Sequence, residues 1–239
     1  MRALYLNTLN EDGAKELLVT GESAHHFIKV LRLKMDESVL LLNGKGLSAQ
    51  SKVTSFTKSE MVLAVGDRHF DERSVRVSLA LGLPKKDALE SVLKACGEMG
   101  VEEIIPLETK FSQRLEFNEE RIQRILISSI EQSNNAYLPH FRESLKWPEL
   151  ENLAARFDET IYFTSQSSPE LPPRSKSDSK KFLIVIGPEG GFSQEEEGDL
   201  LKLQQTSNCY GVKLPLPIMR TPTATCVAMG YITSRLLNN

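Results

Sequence analysis

Hydrophobic and polar positions alternate in two different ways along this chain. Up to about residue 70 the apolar runs are short and separated by polar turns: Ala3 to Leu6, Leu17 to Thr20, Ser38 to Leu42, Ala49 to Phe56 and Met61 to Val65. Short strands at this spacing predict a small β-barrel. Asn43-Gly44-Lys45-Gly46 is a hairpin signal between the third and fourth of them. A helix is predicted to interrupt the strands, with Ser23 as N-cap and Phe27, Val30 and Leu31 on one face. Its other side carries His25, His26, Lys29, Arg32 and Lys34, with no acid before Asp36. A basic stripe of this kind is either a solvated helix face or a seat for a phosphate backbone.

Asp71-Glu72-Arg73-Ser74 reads as a linker, and beyond it strand and helix patterns alternate. Val75 to Leu83 is a strand ending at Pro84. Lys86 to Met99 is a helix with Leu89, Val92, Leu93 and Cys96 on one face. Val101 to Leu107 is a strand, and Asn118 caps a helix with Ile122, Ile125, Leu126, Ser129, Ile130 and Ser133 at helical spacing. Phe141 to Leu145 is expected as a strand, Trp147 to Phe157 as a short helix with Pro148 in its first turn, and Thr160 to Thr164 as a strand. Ser167 to Lys180, with three prolines and five serines, predicts a mobile loop. Lys181 to Ile186 is apolar and β-branched, as a strand buried on both faces is. A helix to about Gln205, a strand from Asn208 to Leu214 and a last helix from Thr221-Pro222 to about Leu237 complete the chain. This alternation defines an α/β domain with a mostly parallel sheet.

Two strand–loop–helix units of that domain carry candidate chemistry. The first loop is Gly187-Pro188-Glu189-Gly190-Gly191-Phe192-Ser193, with Ser193 and Glu196 at capping-box spacing. It lacks the Gly-Lys-Ser/Thr of a phosphate loop and the Gly-x-Gly-x-x-Gly of a dinucleotide fold. Its glycines suit either a tight turn or a loop wrapped on a small ligand. The second loop, Pro215-Leu216-Pro217-Ile218-Met219, is apolar, stiffened by two prolines, and followed by Arg220. Such a loop suits a flat, partly apolar ligand beside a positive charge.

Composition narrows the setting. A net charge of −3 argues against sequence-blind nucleic-acid binding over the whole surface but leaves room for a local patch. No apolar run approaches the roughly 20 residues of a membrane span. Cys96, Cys209 and Cys226 are odd in number and far apart, which points to a reducing, cytoplasmic setting without a disulfide framework. His25, His26, His69 and His140 pair with no cysteine at metal-ligand spacing, so no metal is expected.

The two loops together resemble the glycine-rich and C-terminal motifs of the RsmE family, the uridine-N3 methyltransferases of small-subunit (16S) ribosomal RNA within the SPOUT superfamily. His26-Phe27-Ile28-Lys29-Val30-Leu31-Arg32-Leu33 resembles the family's N-terminal motif. Lys94 to Val101 is similar to its Lys-Ala-Thr-Glu-Leu-Gly-Val segment, and Glu131-Gln132-Ser133 to its Glu-Gln-Ser. The resemblance implies an N-terminal PUA-like RNA-binding barrel over residues 1–70 and a SPOUT α/β domain with a trefoil knot over residues 74–239. It implies S-adenosylmethionine as methyl donor, held by Thr164, Ile186, Gly187, Glu189, Gly190, Gly191, Leu214, Leu216, Ile218, Met219, Thr221 and Ala224. It implies ribosomal RNA or the small subunit as substrate, met by His25, Lys29, Arg32, Lys34 and Arg114, and a homodimer. Arg220 is the candidate catalytic cation. Ribose 2′-O methylation, or a catalytically weak RNA-binding or assembly role, are the alternative readings. Two positions depart from the family: Pro222 stands where it usually has Glu, and Asn134-Asn135 where it often has Gly-Arg.

Overall fold

The computed structural model describes residues 1–237 apart from 12, 74, 115 and 165–180. It divides into two compact units, Met1–Arg73 with Ile127–Leu138, and Ser74–Leu126 with Pro139–Asn239.

The first unit is built on a mixed five-stranded sheet in the order β1-β3-β4-β5-β2. Its strands are β1 (Arg2–Tyr5), β2 (Glu16–Val19), β3 (Ser38–Leu42), β4 (Leu47–Phe56) and β5 (Met61–Phe70). β1 runs parallel to β3, and the other pairs are antiparallel. The expected β3–β4 hairpin is present. Asn43 Oδ1 accepts from the backbone N–H groups of Lys45 and Leu47 at 2.7 and 3.0 Å, a side chain completing the turn. Leu47, Ala49, Ser51 and Val53 point inward from β4, in the two-residue alternation of a sheet with one buried face. Register shifts between Ala49 and Ser51 and between Val53 and Ser55 mark bulges, which bend and twist the β4–β5 ribbon.

The interrupting helix differs from its expected form. It begins three residues early, with Thr20 as N-cap of the α-helical turn α1 (Gly21–His25), so Ser23 lies inside it. It then widens into a π-helical stretch, His26–Val30, in which Leu31 N–H bonds to His26 O. The wider winding keeps residues four apart on one face and swings those three apart off it. Phe27 is therefore buried and Leu31 packs against the core, whereas Val30 is 61% exposed. His25, His26, Lys29, Arg32 and Lys34 are all exposed.

The later segment of the first unit is the second half of α3 (Glu119–Ser133) and the turn after it. Asn134 has φ +56°, and Asn135 N–H returns to Ile130 O at 3.0 Å, the left-handed helix stop that Gly usually makes and Asn tolerates best among other residues. This accounts for Asn134 at a position where the family often has Gly. Glu131 Oε1 accepts from Tyr5 N–H at 2.8 Å. Burial raises the Glu131 carboxyl above its ordinary range, against the opposing pull of that hydrogen bond and of His26. Leu138 N–H and Gly46 N–H bond to Gly44 O and Ala136 O.

The second unit is a seven-stranded sheet with every pair parallel. Its main order is β12-β10-β11-β6-β7-β8, and β9 also pairs with β7. The strands are β6 (Arg76–Gly82), β7 (Glu103–Glu108), β8 (His140–Phe141), β9 (Leu145–Lys146), β10 (Glu159–Phe163), β11 (Lys181–Ile186) and β12 (Cys209–Val212). The single strand expected over 141–145 is thus two short pieces, and the helix expected over 147–157 is a 3₁₀ turn (Trp147–Glu149) followed by α4 (Leu150–Ala154). The loop expected over 167–180 lies outside the described residues. β11 is central and buried from Phe182 to Ile186, as its uniformly apolar sequence requires. Leu183 and Val185 join α4 and α5 (Gln194–Thr206) in one core layer with Leu150, Leu153, Leu200 and Leu203. On α2 (Lys86–Glu98), Leu89, Val92, Leu93 and Cys96 are buried, and α2 packs against α6 (Thr221–Leu237). Arg235 of α6 pairs with Glu159 of β10 at 3.0 Å, both largely withdrawn from solvent.

Candidate functional site

Phe163 and Thr164 at the carboxyl end of β10, with the segments that follow β11 and β12, bound a cavity of about 720 Å³ in the second unit. Open α/β sheets bind their ligands at this edge.

Residues 187–193 leave β11 and close on themselves. Gly191 N–H bonds to Pro188 O at 2.9 Å, and Gly191 has φ +69°, a conformation that strains other residues. Gly187, Gly190 and Gly191 all line the cavity, so on this side main chain forms part of the wall beside Pro188, Glu189 and Phe192. The loop is braced from outside. A Cβ on Gly82, at the end of β6, would come within 2.4 Å of Pro188 Cδ and 2.8 Å of its nitrogen. Glu189 Oε1 accepts from Lys85 N–H at 3.1 Å. A Cβ on Gly190 would lie 2.9 Å from Phe111 Cβ, so the absence of a side chain there already answers to Phe111.

The capping box is formed. Ser193 Oγ accepts from Glu196 N–H at 3.3 Å, and Glu196 Oε2 accepts from Ser193 N–H at 2.7 Å. The other oxygen of Glu196 accepts from Lys110 N–H at 2.7 Å. The segment after β7 is therefore tied to the start of α5. Leu83 N–H donates to Ser112 Oγ at 3.0 Å, and Gln113 N–H bonds to Leu83 O. Arg114, exposed, stands at the end of this braced segment.

The opposite wall is apolar. Residues 214–219 contribute Leu214, Leu216, Pro217, Ile218 and Met219, and α6 contributes Thr221 and Ala224. Ile218 is 90% exposed and Leu216 is 52% exposed, more apolar surface than a closed protein leaves to water. The cavity suits a drug-sized ligand by volume, roughly 300–1,000 Å³ being typical. Its backbone wall and apolar wall match a flat heterocycle held by main-chain groups.

Every residue assigned from sequence to the cofactor lines this cavity: Thr164, Ile186, Gly187, Glu189, Gly190, Gly191, Leu214, Leu216, Ile218, Met219, Thr221 and Ala224. Arg220 does not. It is exposed between the lining residues Met219 and Thr221, and its carbonyl accepts from Ala224 N–H in the first turn of α6. His25, Lys29, Arg32 and Lys34 belong to the first unit. Phe163, Pro188, Phe192, Val212 and Pro217 line it as well without being assigned from sequence, as do two charged groups, Glu197 and Lys213. Glu197 was hidden in an acidic run that reads as a helix start, and Lys213 in a short strand. Thr164 Oγ1 lies 2.9 and 3.2 Å from the two oxygens of Glu197. Beside them Tyr162 donates to Gln204 Oε1. Burial first, then the charges of Cys209 and Glu197, push its phenol up to about 12.

A ligand cavity at the carboxyl edge of a parallel sheet, in a chain that also carries a small β unit, describes a two-unit α/β protein that takes a nucleotide-sized ligand. The comparisons give the rest. A family model described as the RNA methyltransferase domain matches residues 71–233, and one described as the RNA methyltransferase PUA domain matches residues 19–65. The chain therefore belongs to the PUA-bearing RNA methyltransferase family that the sequence motifs resemble. It is 25% identical over 230 residues to the ribosomal RNA small subunit methyltransferase E of Bacillus subtilis, covering 90% of this chain and 88% of that protein. Against the protein of the same name from Synechocystis it is 28% identical over 225 residues, covering 91% and 73%. The crystal structure of the Neisseria gonorrhoeae enzyme, bound to S-adenosyl methionine, superposes with a TM-score of 0.85 over 98% of this chain and 97% of that one, at 22% identity.

Proposed function

We propose that this chain transfers a methyl group from S-adenosylmethionine to N3 of a uridine in small-subunit ribosomal RNA. The observation that carries the reading is the cavity, with a glycine main-chain wall facing an apolar wall at the carboxyl edge of the sheet. In this reading Leu214, Leu216, Ile218 and Met219 pack the adenine, and the main chain at Gly187, Gly190 and Gly191 meets its polar edge. When bound, the donor supplies an electrophilic methyl group on a sulfonium sulfur.

The chain's own task is alignment and charge stabilisation. Uracil N3 is nucleophilic only after losing its proton, and the negative charge then spreads over the flanking carbonyl oxygens. Arg220 is exposed beside the cavity wall and next to the N-terminus of α6, whose dipole adds partial positive charge. It is the group we assign to that charge. Lys29, Arg32 and Lys34, with His25, hold RNA phosphates from the first unit, and Arg114 does so from the second. The trefoil knot and a two-fold dimer belong to the same reading. The exposed thiol of Cys226 is at home in a reducing cytoplasm, where small subunits are found.

The test is methylation of small subunits that lack the modification, with labelled donor and mass spectrometry of the nucleosides. Label in 3-methyluridine is the expected result. Label in a 2′-O-methyl nucleoside, or none, overturns it.

A further inference from the structure

The cavity holds one polar pair that the sequence motifs do not contain. Thr164 directly follows β10, Glu197 lies in the first turn of α5, and both line the cavity. The hydroxyl of Thr164 reaches both carboxylate oxygens, at 2.9 and 3.2 Å. A hydroxyl has one proton, so it fully engages one oxygen and orients the group while most of the carboxylate's acceptor capacity stays available. The Glu197 carboxylate has no other hydrogen-bond partner among the described residues, and it lines a cavity that also carries the apolar side chains of Leu214, Leu216, Ile218 and Met219.

Such a carboxylate calls for donors on the ligand. The other acid on the wall, Glu189, already accepts from Lys85 N–H. An oriented carboxylate with two oxygens matches the paired hydroxyls of a ribose, as acids beside nucleotide sites do in other α/β folds. A hydrogen bond to a charged acceptor in such a setting is stronger than one between neutral groups.

We infer that Thr164 and Glu197 form the ribose-recognition element of the cavity, with Glu197 accepting from the vicinal 2′- and 3′-hydroxyls of the adenosyl ligand and Thr164 orienting it. The inference rests on the adenosyl-donor reading of the cavity. It makes Glu197 a determinant of specificity for ribonucleosides and Thr164 a positioning residue.

The test is calorimetric titration of the full-length protein with S-adenosylhomocysteine and with its 2′-deoxy and 3′-deoxy forms. The parent should lose about tenfold or more in affinity for each deoxy ligand. Glu197→Ala should bind S-adenosylhomocysteine correspondingly worse but discriminate little between it and the deoxy forms, the coupling of a direct contact. Glu195→Gln, on the same helical turn but outside the cavity, should behave as the parent. Thr164→Val should keep part of the discrimination. Equal deoxy penalties in the parent and in Glu197→Ala overturn the inference while leaving the adenosyl reading intact. A loss on Glu197→Ala that is larger for S-adenosylmethionine than for the neutral homocysteine product places the carboxylate beside the sulfonium and also overturns it. If the parent binds neither ligand, the adenosyl reading fails first and this one with it.

Discussion

Glu196 holds the backbone N–H of Lys110 with one carboxylate oxygen and that of Ser193 with the other. A single buried side chain thus closes the capping box of α5 and fixes the segment after β7 beside the glycine loop. Glu196→Ala removes both bonds and should cost about 2 kcal/mol of stability, a lost cap together with a backbone donor left without its partner. Glu196→Gln keeps one acceptor but turns its NH2 toward the other backbone N–H, so it should recover only part of that loss. Urea denaturation of the three proteins measures it. Equal stabilities contradict the role.

The assignment of Arg220 predicts a separation of effects. Arg220→Ala should bind S-adenosylmethionine nearly as the parent does, because Arg220 is outside the cavity wall. Turnover should fall on the order of a hundredfold or more, the range for removing a preorganised stabiliser of transition-state charge. Arg220→Lys should recover part of the loss, since a point charge does not reproduce the planar fork. Single-turnover methylation beside donor titration decides. Turnover within a few-fold of the parent shifts attention to Arg114.

Lys29, Arg32 and Lys34 are exposed. Changing all three to Glu should weaken RNA binding, leave donor affinity unchanged, and lower the salt dependence by about one unit per lost phosphate contact. The slope of affinity against salt is the readout. An unaltered slope returns this face to plain solvation.

Glu131 predicts a pH effect. Its carboxyl is raised in the folded protein, chiefly by burial. A group raised on folding gives stability that is complete below its unfolded value and disappears as pH climbs through the folded one. Glu131→Gln can still accept from Tyr5 N–H but cannot ionise. The parent should therefore match or exceed the variant near pH 4 and fall behind it towards pH 7. Denaturation midpoints across that interval test it, and a pH-independent difference rules it out.

The sequence-based reading succeeded where one local rule decides the outcome. The uniformly apolar run of β11 had to be central, and the two loops that follow β11 and β12 had to share the edge where a ligand binds. The residues of both loops line one cavity. Other features depend on partners distant in sequence. The contact that keeps Gly190 bare comes from Phe111, and the one that keeps Gly82 bare comes from Pro188. The π-helical stretch breaks the 3.6-residue period that was used to place Val30 inside. Glu197 is set apart by facing the cavity beside Thr164, and unlike the capping-box Glu196 it is marked by no spacing rule.

The first unit is discontinuous in sequence: its members are Met1–Arg73 and the far segment Ile127–Leu138. During synthesis the strands of its sheet leave the ribosome well before the segment that supplies Glu131 to Tyr5 N–H and Ala136 to Gly46 N–H. Chains grow at roughly 5–20 residues per second, so this half-made unit persists for seconds with those donors turned to water. The N-terminal part of this protein is the first to be made but cannot finish folding until the segment ending at Leu138 has followed it, and a nascent chain arrested before Leu138 should be open to proteases that the completed unit resists.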